Sequence, residues 1–311
     1  MILIQLYTQN GWKMPSLSFR ICLGVLAIKG IKKGFSKDPV DPQFHRKGNK
    51  NTPPFKRLKN GRMESVMVGQ TRVTQFIPSK GGNQSLVLYF HGGAFISGPS
   101  DHHWQATKKL FDTTKAQVWM IHYPLAPESK IDALNEQVDL VFEFAKRSFD
   151  PSRIIIAGDS AGGTICLSLL QRLVKKSLPL PAKAILICPV LDCSLEHPDV
   201  DKIEKTDPIL SPIGVRSAKR MLANGRDLKD PMLSPLYGSF EGFPPLLVFV
   251  GGRDIMCPDT LLAVDRMRKK GVEVDLVYKE EMIHIWPILP FMREAKEAFK
   301  TILDEVSRLE N

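Results

Sequence analysis

A serine flanked by glycines is the strongest chemical signal in this chain. Gly158-Asp159-Ser160-Ala161-Gly162 follows the apolar run 154–156 and precedes apolar residues at helical spacing. This order predicts a strand, a sharp turn and a helix, with Ser160 at the turn as a candidate nucleophile. Glycines suit the turn because strand and helix approach closely there, and the helix N-terminus offers free N–H groups to a developing negative charge.

A second glycine pair lies directly after another apolar strand pattern. Residues 86–90 run into His91-Gly92-Gly93, and two glycines past a strand end allow backbone N–H groups to point at a ligand. We therefore expect the amides of Gly92 and Gly93, with that of Ala161, to form an oxyanion hole. His91 is expected to hold this loop through a hydrogen bond rather than to act as a base.

Activation of Ser160 needs an acid and a base. Asp254 comes just past the apolar run 246–250, whereas its rival Asp259 lies at the start of the next expected helix, where it would face the positive end of the helix dipole. Of the seven histidines, only His284 lies beyond Asp254. The order Ser160, Asp254, His284 therefore predicts a catalytic triad for attack on a carbonyl group.

Alternating strand and helix patterns must position these residues. Apart from the strand before Ser160, strands are expected at 65–68, 72–77, 85–90, 117–122, 184–188, 246–250 and 272–278. Helices are expected after Ser160 and at 102–112, 133–146, 260–270 and 291–309. This alternation predicts an α/β fold with a mostly parallel central sheet covered by helices on both faces.

One interval breaks the alternation. More than fifty residues separate the strand ending near Pro189 from the strand starting near Leu246, which is too long for a structureless loop. Ser211-Pro212 at its start and Asn224-Gly225 at its end predict a helix within it. We expect this interval to form an insertion over the carboxyl edge of the sheet, where sites form in α/β proteins.

The basic charge is confined to the N-terminal segment. Residues 1–60 hold twelve Lys and Arg and two Asp, and so carry the whole net charge of +10. Without interleaved aromatic residues or a recognition motif, this basicity does not indicate nucleic-acid binding. Residues 16–33 are compatible with a helix packed on the body, a membrane-surface helix or a secretory signal, and residues 38–60 are expected to form an extended linker.

The cysteine pattern bears on the compartment. The five cysteines are odd in number and include no CxxC, so free thiols are expected rather than a disulfide framework or a metal site. We expect a cytoplasmic protein, and the basic N-terminal segment is compatible with association with a membrane surface.

Taken together, these motifs resemble the α/β-hydrolase fold, and within it the hormone-sensitive-lipase-like esterases and lipases. The matching pieces are His91-Gly92-Gly93-Ala94-Phe95, Tyr123-Pro124-Leu125-Ala126-Pro127-Glu128, Gly158–Gly163, Asp254 and His284, in family order. Two details depart from the family pattern: Pro124 stands where the family often has Arg, and Asp254-Ile255-Met256 replaces the common Asp-Pro-Leu.

The resemblance implies a division of the chain and an activity. It implies a helical cap formed by residues 1–60 together with the insertion 196–242, over a core formed by residues 61–195 and 243–311. It also implies cleavage of a small-molecule carboxylic ester, with short to medium acyl chains expected, and without metal or cofactor. An amidase or deacetylase using the same triad and a non-catalytic ligand-binding member of the fold remain alternatives.

The substrate pocket is the least defined part of the prediction. Phe95 and Trp286 are expected to line it, with packing in the core as the alternative reading of both. The insertion contributes only apolar candidates, such as Ile209, Leu210, Met221 and Leu222. Neither the physiological substrate nor the oligomeric state follows from the sequence.

Overall fold

A computed structural model describes residues 15–79 and 84–309 as eight strands and ten α-helices. The strands are β1 Gly61–Val68, β2 Thr71–Pro78, β3 Leu86–Phe90, β4 Gln117–His122, β5 Ile154–Asp159, β6 Lys183–Ile187, β7 Leu246–Gly251 and β8 Val274–Lys279. The helices are α1 Leu17–Lys29, α2 Ile31–Phe35, α3 Pro42–Arg46, α4 Asp101–Thr114, α5 Ile131–Lys146, α6 Ala161–Lys175, α7 Val200–Glu204, α8 Pro212–Ala223, α9 Cys257–Lys269 and α10 Arg293–Arg308.

All eight strands form one sheet in the order β1-β2-β4-β3-β5-β6-β7-β8. The pairs β1–β2 and β2–β4 are antiparallel, and every other pair is parallel. The central strands β3, β5 and β7 are buried along their whole length, as expected for parallel strands covered on both faces. Helices α4 and α10 contact each other and pack on alternate residues of the sheet, among them Val87, Ala157 and Ile185.

The expected elements are confirmed to within a few residues at their ends. The predicted hairpin is the antiparallel β1–β2 pair. The helix predicted in the insertion is α8, with Ser211 at its N-cap and Asn224 in the left-handed region at its C-cap.

The N-terminal segment differs from the extended linker expected at residues 38–60, and its first described helix packs on the body. Residues 38–60 are not extended throughout, since Asp41 caps α3 by accepting the N–H of Gln43 at 2.9 Å. Helix α1 packs on the body through Phe19, which is 1% exposed. Residues 1–14 of the predicted segment lie outside the described residues, and none of the helices in the described ranges has the length and apolar character needed to cross a bilayer.

The N-terminal segment and the insertion contact each other directly. A side chain at Gly214 of α8 would lie 2.0 Å from the carbonyl oxygen of Phe35, so glycine permits the close approach of α2. The N–H of Val40 donates to Ser217 Oγ at 2.9 Å. These contacts place two distant parts of the sequence side by side.

Candidate active site

Ser160 lies at the turn between β5 and α6 in a strained backbone conformation. Its φ of 51° and ψ of −117° are unusual for a residue with a side chain, and its N–H donates to the carbonyl oxygen of Ile187 at 2.9 Å. The flanking glycines have steric reasons. A Cβ on Gly162 would lie 1.9 Å from the carbonyl oxygen of Phe90, and one on Gly158 would lie 2.4 Å from the backbone of Gly162.

Three backbone N–H groups beside this turn lack an acceptor among the described residues: those of Gly93, Ala94 and Ala161. Ala161 begins α6, so its N–H has no partner within the helix. Gly93 and Ala94 have φ values of 117° and 54°, which turn the chain sharply after β3. Unpaired N–H groups in this arrangement can stabilise a developing oxyanion.

The expectation for Gly92 is corrected. Its N–H donates to Asp159 Oδ1 at 3.0 Å, so it is already engaged. The position has no room for a side chain, because a Cβ would lie 2.2 Å from Asp159 Oδ2. Gly92 therefore anchors the loop, and the free donors are one residue further along the chain than expected.

Asp159, within the serine motif, connects three elements. Besides Gly92, its carboxylate accepts the hydroxyl of Tyr89 at 2.9 Å and lies 3.2 Å from His103 Nε2 on α4. Burial opposes its ionisation, but the charge of His103 and the hydrogen bonds outweigh that penalty and lower the pKa of Asp159. The side chain thus holds the serine turn, the Gly92 loop and α4 together.

His91 holds the loop, as predicted. Its Nδ1 lies 2.7 Å from the carbonyl oxygen of Gly92, and its ring stacks on Tyr123 at 4.4 Å. The hydroxyl of Tyr123 donates to the carbonyl oxygen of His91 at 2.7 Å. Burial lowers the pKa of His91 to about 3, so the ring is neutral near pH 7.

His284 and Asp254 form a buried hydrogen-bonded pair. His284 Nδ1 lies 2.8 Å from Asp254 Oδ2, while Asp254 Oδ1 accepts the N–H of Met256 at 2.9 Å. Burial alone would lower the pKa of His284, but the charge of Asp254 and its hydrogen bond outweigh burial, so the pKa is raised from 6.5. This hydrogen bond fixes the orientation of the His284 ring through Nδ1, so Nε2 is the ring nitrogen that Asp254 does not engage. Asp259 lies apart from this pair, in the first turn of α9.

A second carboxylate, Asp207 of the insertion, was missed by the sequence reasoning. Its Oδ1 accepts the N–H groups of Ile209 and Leu210 at 2.8 and 2.9 Å, and its Oδ2 accepts that of Ile255 at 3.0 Å. Burial and the charge of Asp254 raise the pKa of Asp207 to about 6. Lys32 of α2 donates to the carbonyl oxygen of the same residue at 3.0 Å. The only sequence signal for Asp207 is its place in an Asp-Pro pair of the insertion, which is typical of a turn.

Ser160 and His284 line one cavity of about 860 Å³. The hydroxyl of Ser160 has no hydrogen-bond partner in residues 15–79 and 84–309, so it is free on the wall. The walls come from α1, the Gly93 loop, the start of α4, the insertion and the stretch after His284. The residues of α1 and of the insertion on the wall are Ser18, Ile21, Cys22, Val25, Leu26, Ile209, Leu210, Val215 and Lys219.

The pocket expectations for Phe95 and Trp286 are corrected. Both are 1% exposed and lie in the core rather than on the cavity wall. Phe95 packs edge-on against Tyr123, and Trp286 packs edge-on against Phe249.

Lys219 is the unexpected residue of the wall. It is fully buried and, within the part of the chain that the structure describes, forms no ion pair. Its Nζ lies 3.7 Å from the centroid of the Phe95 ring, a cation–π geometry. Burial lowers the pKa of Lys219.

Cys188 completes a compact group with the histidine and the acid. Its Sγ and one atom each of Asp254 and His284 lie within 4.8 Å of one another, a spacing that could also hold a metal ion. Burial and the charge of Asp254 raise the pKa of the Cys188 thiol, which favours the protonated form over a thiolate ligand. The direct hydrogen bond between Asp254 and His284 is sufficient to explain why these two side chains lie together.

Comparison with known proteins gives consistent matches over most of the chain. A family model described as the alpha/beta hydrolase fold matches residues 87–288. The chain is 31% identical over 256 residues to an acetyl-hydrolase from Streptomyces hygroscopicus, covering 80% of this chain and 82% of that relative. It is 30% identical over 244 residues to an esterase from Acinetobacter venetianus, covering 75% and 78%. Among solved structures it is similar to EstE7, a hormone-sensitive-lipase homologue from a metagenome library, with a TM-score of 0.81 at 26% identity, covering 96% of this chain and 100% of that one.

Proposed function

Since the chain belongs to the alpha/beta hydrolase fold family, as an esterase or lipase type of enzyme, we propose that it cleaves carboxylic esters through Ser160, His284 and Asp254. One observation carries this proposal. His284, which is paired with the buried Asp254, lines the same cavity as Ser160, whose backbone is strained and whose hydroxyl has no hydrogen-bond partner among the described residues.

In the first half of the reaction, His284 Nε2 accepts the proton of Ser160 as the serine oxygen attacks the ester carbonyl. Asp254 keeps the proton of His284 on Nδ1 and stabilises the charged ring. The N–H groups of Gly93, Ala94 and Ala161 bind the oxygen that becomes negative. The intermediate then expels the alcohol, which takes the proton from His284.

In the second half, water hydrolyses the acyl-enzyme. His284 removes a proton from the water, the same three N–H groups stabilise the second oxyanion, and Ser160 leaves with the proton returned by His284. A raised pKa suits this role, because it makes the neutral ring a better acceptor for the proton of Ser160.

The covering of the site supports a proposal on substrate size and domain division. We take residues 1–60 and the insertion 196–242 as one cap over a core of residues 61–195 and 243–311, because described residues of both segments line the cavity and contact each other. A volume of about 860 Å³ is near the upper end for small-molecule sites, and it accommodates esters with short to medium acyl chains.

The assignment is tested with short p-nitrophenyl esters and a fluorophosphonate probe. We expect Ser160→Ala to abolish labelling and to lower kcat by about 10³-fold or more, with losses of similar order for His284→Gln. Ser168→Ala, which removes another buried serine hydroxyl from α6, serves as the matched control and should keep labelling. Undiminished labelling of folded Ser160→Ala would contradict the assignment. Comparing each ester with its p-nitroanilide counterpart separates an esterase from an amidase.

A further inference from the structure

Helix α1 exposes an apolar face at its surface. Leu17, Ile21, Val25 and Ile28, here called the α1 stripe, are 73%, 60%, 44% and 88% exposed. Spacings of four, four and three residues place them on one side of the helix. The opposite side packs on the body through Phe19, so the stripe is not simply the outside of an unpacked helix.

A further apolar side chain continues the stripe. Phe291 is 81% exposed, and it comes just before α10, whose first residues contact the start of α1. The N–H and the hydroxyl of Ser16 both donate to Glu294 at 2.8 Å, and the N–H of Arg293 donates to Ser18 Oγ at 3.2 Å. Phe291 therefore lies near the end of α1 at which the stripe begins, and together they expose more apolar surface than an isolated side chain does.

This surface borders the active-site cavity. Ile21 and Val25 of the stripe and Phe291 also line the cavity that contains Ser160 and His284. The apolar surface is thus continuous with the route by which a substrate reaches the serine. Exposed apolar surface around the mouth of an apolar cavity is suited to a substrate that arrives from an apolar phase.

The positive charge of the N-terminal segment indicates which kind of partner the stripe would bind. Residues 1–60 carry the whole net charge of +10, and Arg20, Lys33, Lys37, Lys47 and Lys50 are exposed. An apolar helix face accompanied by Lys and Arg is typical of helices that lie in the interface of an anionic bilayer. A thirteen-residue helix is only about 20 Å long and lies on a bilayer without crossing it.

From these observations we propose that the α1 stripe and Phe291 dock the enzyme on an anionic lipid bilayer, with the cavity mouth against the lipid. Ester substrates dissolved in the bilayer then enter between α1 and Phe291 without crossing water. The docking stands on the surface itself, whereas delivery of ester substrates rests on the proposed function.

The test uses the full chain and vesicles of phosphatidylcholine with or without phosphatidylglycerol. The variant Leu17→Glu/Ile28→Glu changes the two stripe residues that do not line the cavity. The control Met67→Glu/Leu140→Glu introduces the same charges at exposed apolar positions of β1 and α5. We expect the wild type and the control to sediment with phosphatidylglycerol vesicles, more weakly at high salt, and the stripe variant to lose about tenfold in partitioning.

Hydrolysis provides the second readout. The stripe variant should hydrolyse dissolved p-nitrophenyl butyrate like the wild type, and should be about tenfold slower on a long-chain ester carried in the vesicles. Vesicle binding does not require turnover, so the two proposals can fail separately. If the wild type binds vesicles but does not hydrolyse the dissolved ester, the proposed function is wrong and the docking still stands.

Several results would overturn the docking. One is equal sedimentation of the wild type and the stripe variant. Another is a wild type that ignores vesicles and forms dimers that the stripe variant converts to monomers, which would assign the stripe to a second copy of the chain. A third is vesicle binding that appears only after removal of residues 1–14, which would assign the stripe to that segment.

Discussion

Replacing Lys219 with methionine is expected to stabilise the protein near neutral pH. The ammonium group is fully buried without an ion pair to a described residue, and burial lowers its pKa from 10.5. At pH 7 the destabilisation has an upper limit of about 5 kcal/mol, because beyond that the amine loses its proton. The cation–π contact with Phe95 offsets about 2 kcal/mol. A methionine of similar volume should therefore raise the free energy of unfolding by about 1–3 kcal/mol.

The pH dependence gives the sharper test. Because the folded-state pKa of Lys219 lies below the unfolded-state value, the destabilisation is complete below the folded-state pKa. It disappears as the pH rises to 10.5. The advantage of Lys219→Met should therefore shrink with rising pH within this window, by up to about 1.4 kcal/mol per pH unit.

Urea denaturation of the wild type and the variant at several pH values between neutral and 10 measures this difference. Lys300→Met, at an exposed position of α10, is the matched control and should leave the free energy of unfolding nearly unchanged at every pH. The reasoning is refuted by a variant that is less stable than the wild type at pH 7, or by a difference that stays constant as the pH rises.

Three further predictions concern the site. The acid limb of kcat/KM should lie above pH 6.5, because His284 must be neutral to act as a base and its pKa is raised from that value. Asp207→Asn should move this limb to lower pH, because a negative charge that raises the pKa of His284 is lost. An unmoved limb in pH profiles measured with a neutral ester would contradict this prediction. Asp159→Asn should lower the free energy of unfolding by about 1–3 kcal/mol and reduce kcat, because an amide cannot replace both carboxylate oxygens that bond Tyr89, the N–H of Gly92 and His103; wild-type stability in urea denaturation would speak against it. Gly162→Ala should prevent formation of the serine turn, since its Cβ would lie 1.9 Å from a carbonyl oxygen; a variant that folds by circular dichroism and keeps full fluorophosphonate labelling would show the contact to be adaptable.

The sequence predicted the strands and helices well, because they depend on local patterns. Apolar runs of strand length, glycines at close approaches and a Ser-Pro helix start all act over a few residues. The Gly92 assignment failed because its N–H is taken by Asp159, which is 67 residues away in the chain. A glycine pair indicates where a loop can approach a ligand, but not which of its N–H groups is free.

Side-chain direction was the other limit. Phe95 itself and Ile285, the residue before Trp286, have φ values of 65° and 52°. Such turns redirect the neighbouring side chains, and local spacing does not reveal them. Lys219 was missed for a different reason. It lies four residues after Val215 on the buried face of α8, where pattern reasoning expects an apolar residue and assigns lysine to solvent.

The contacts of Asp207 have a consequence for exchanging the insertion between related proteins. Lys32 holds its carbonyl, and its carboxylate holds the N–H of Ile255, the neighbour of Asp254. Transplanting residues 196–242 from a relative would leave the buried Ile255 N–H unsatisfied unless the donor segment brought its own acceptor. The insertion is therefore not a freely interchangeable part of this protein. Recombination that respects the Lys32, Asp207 and Ile255 positions should yield folded, active chimeras far more often than exchange at the ends of the insertion alone.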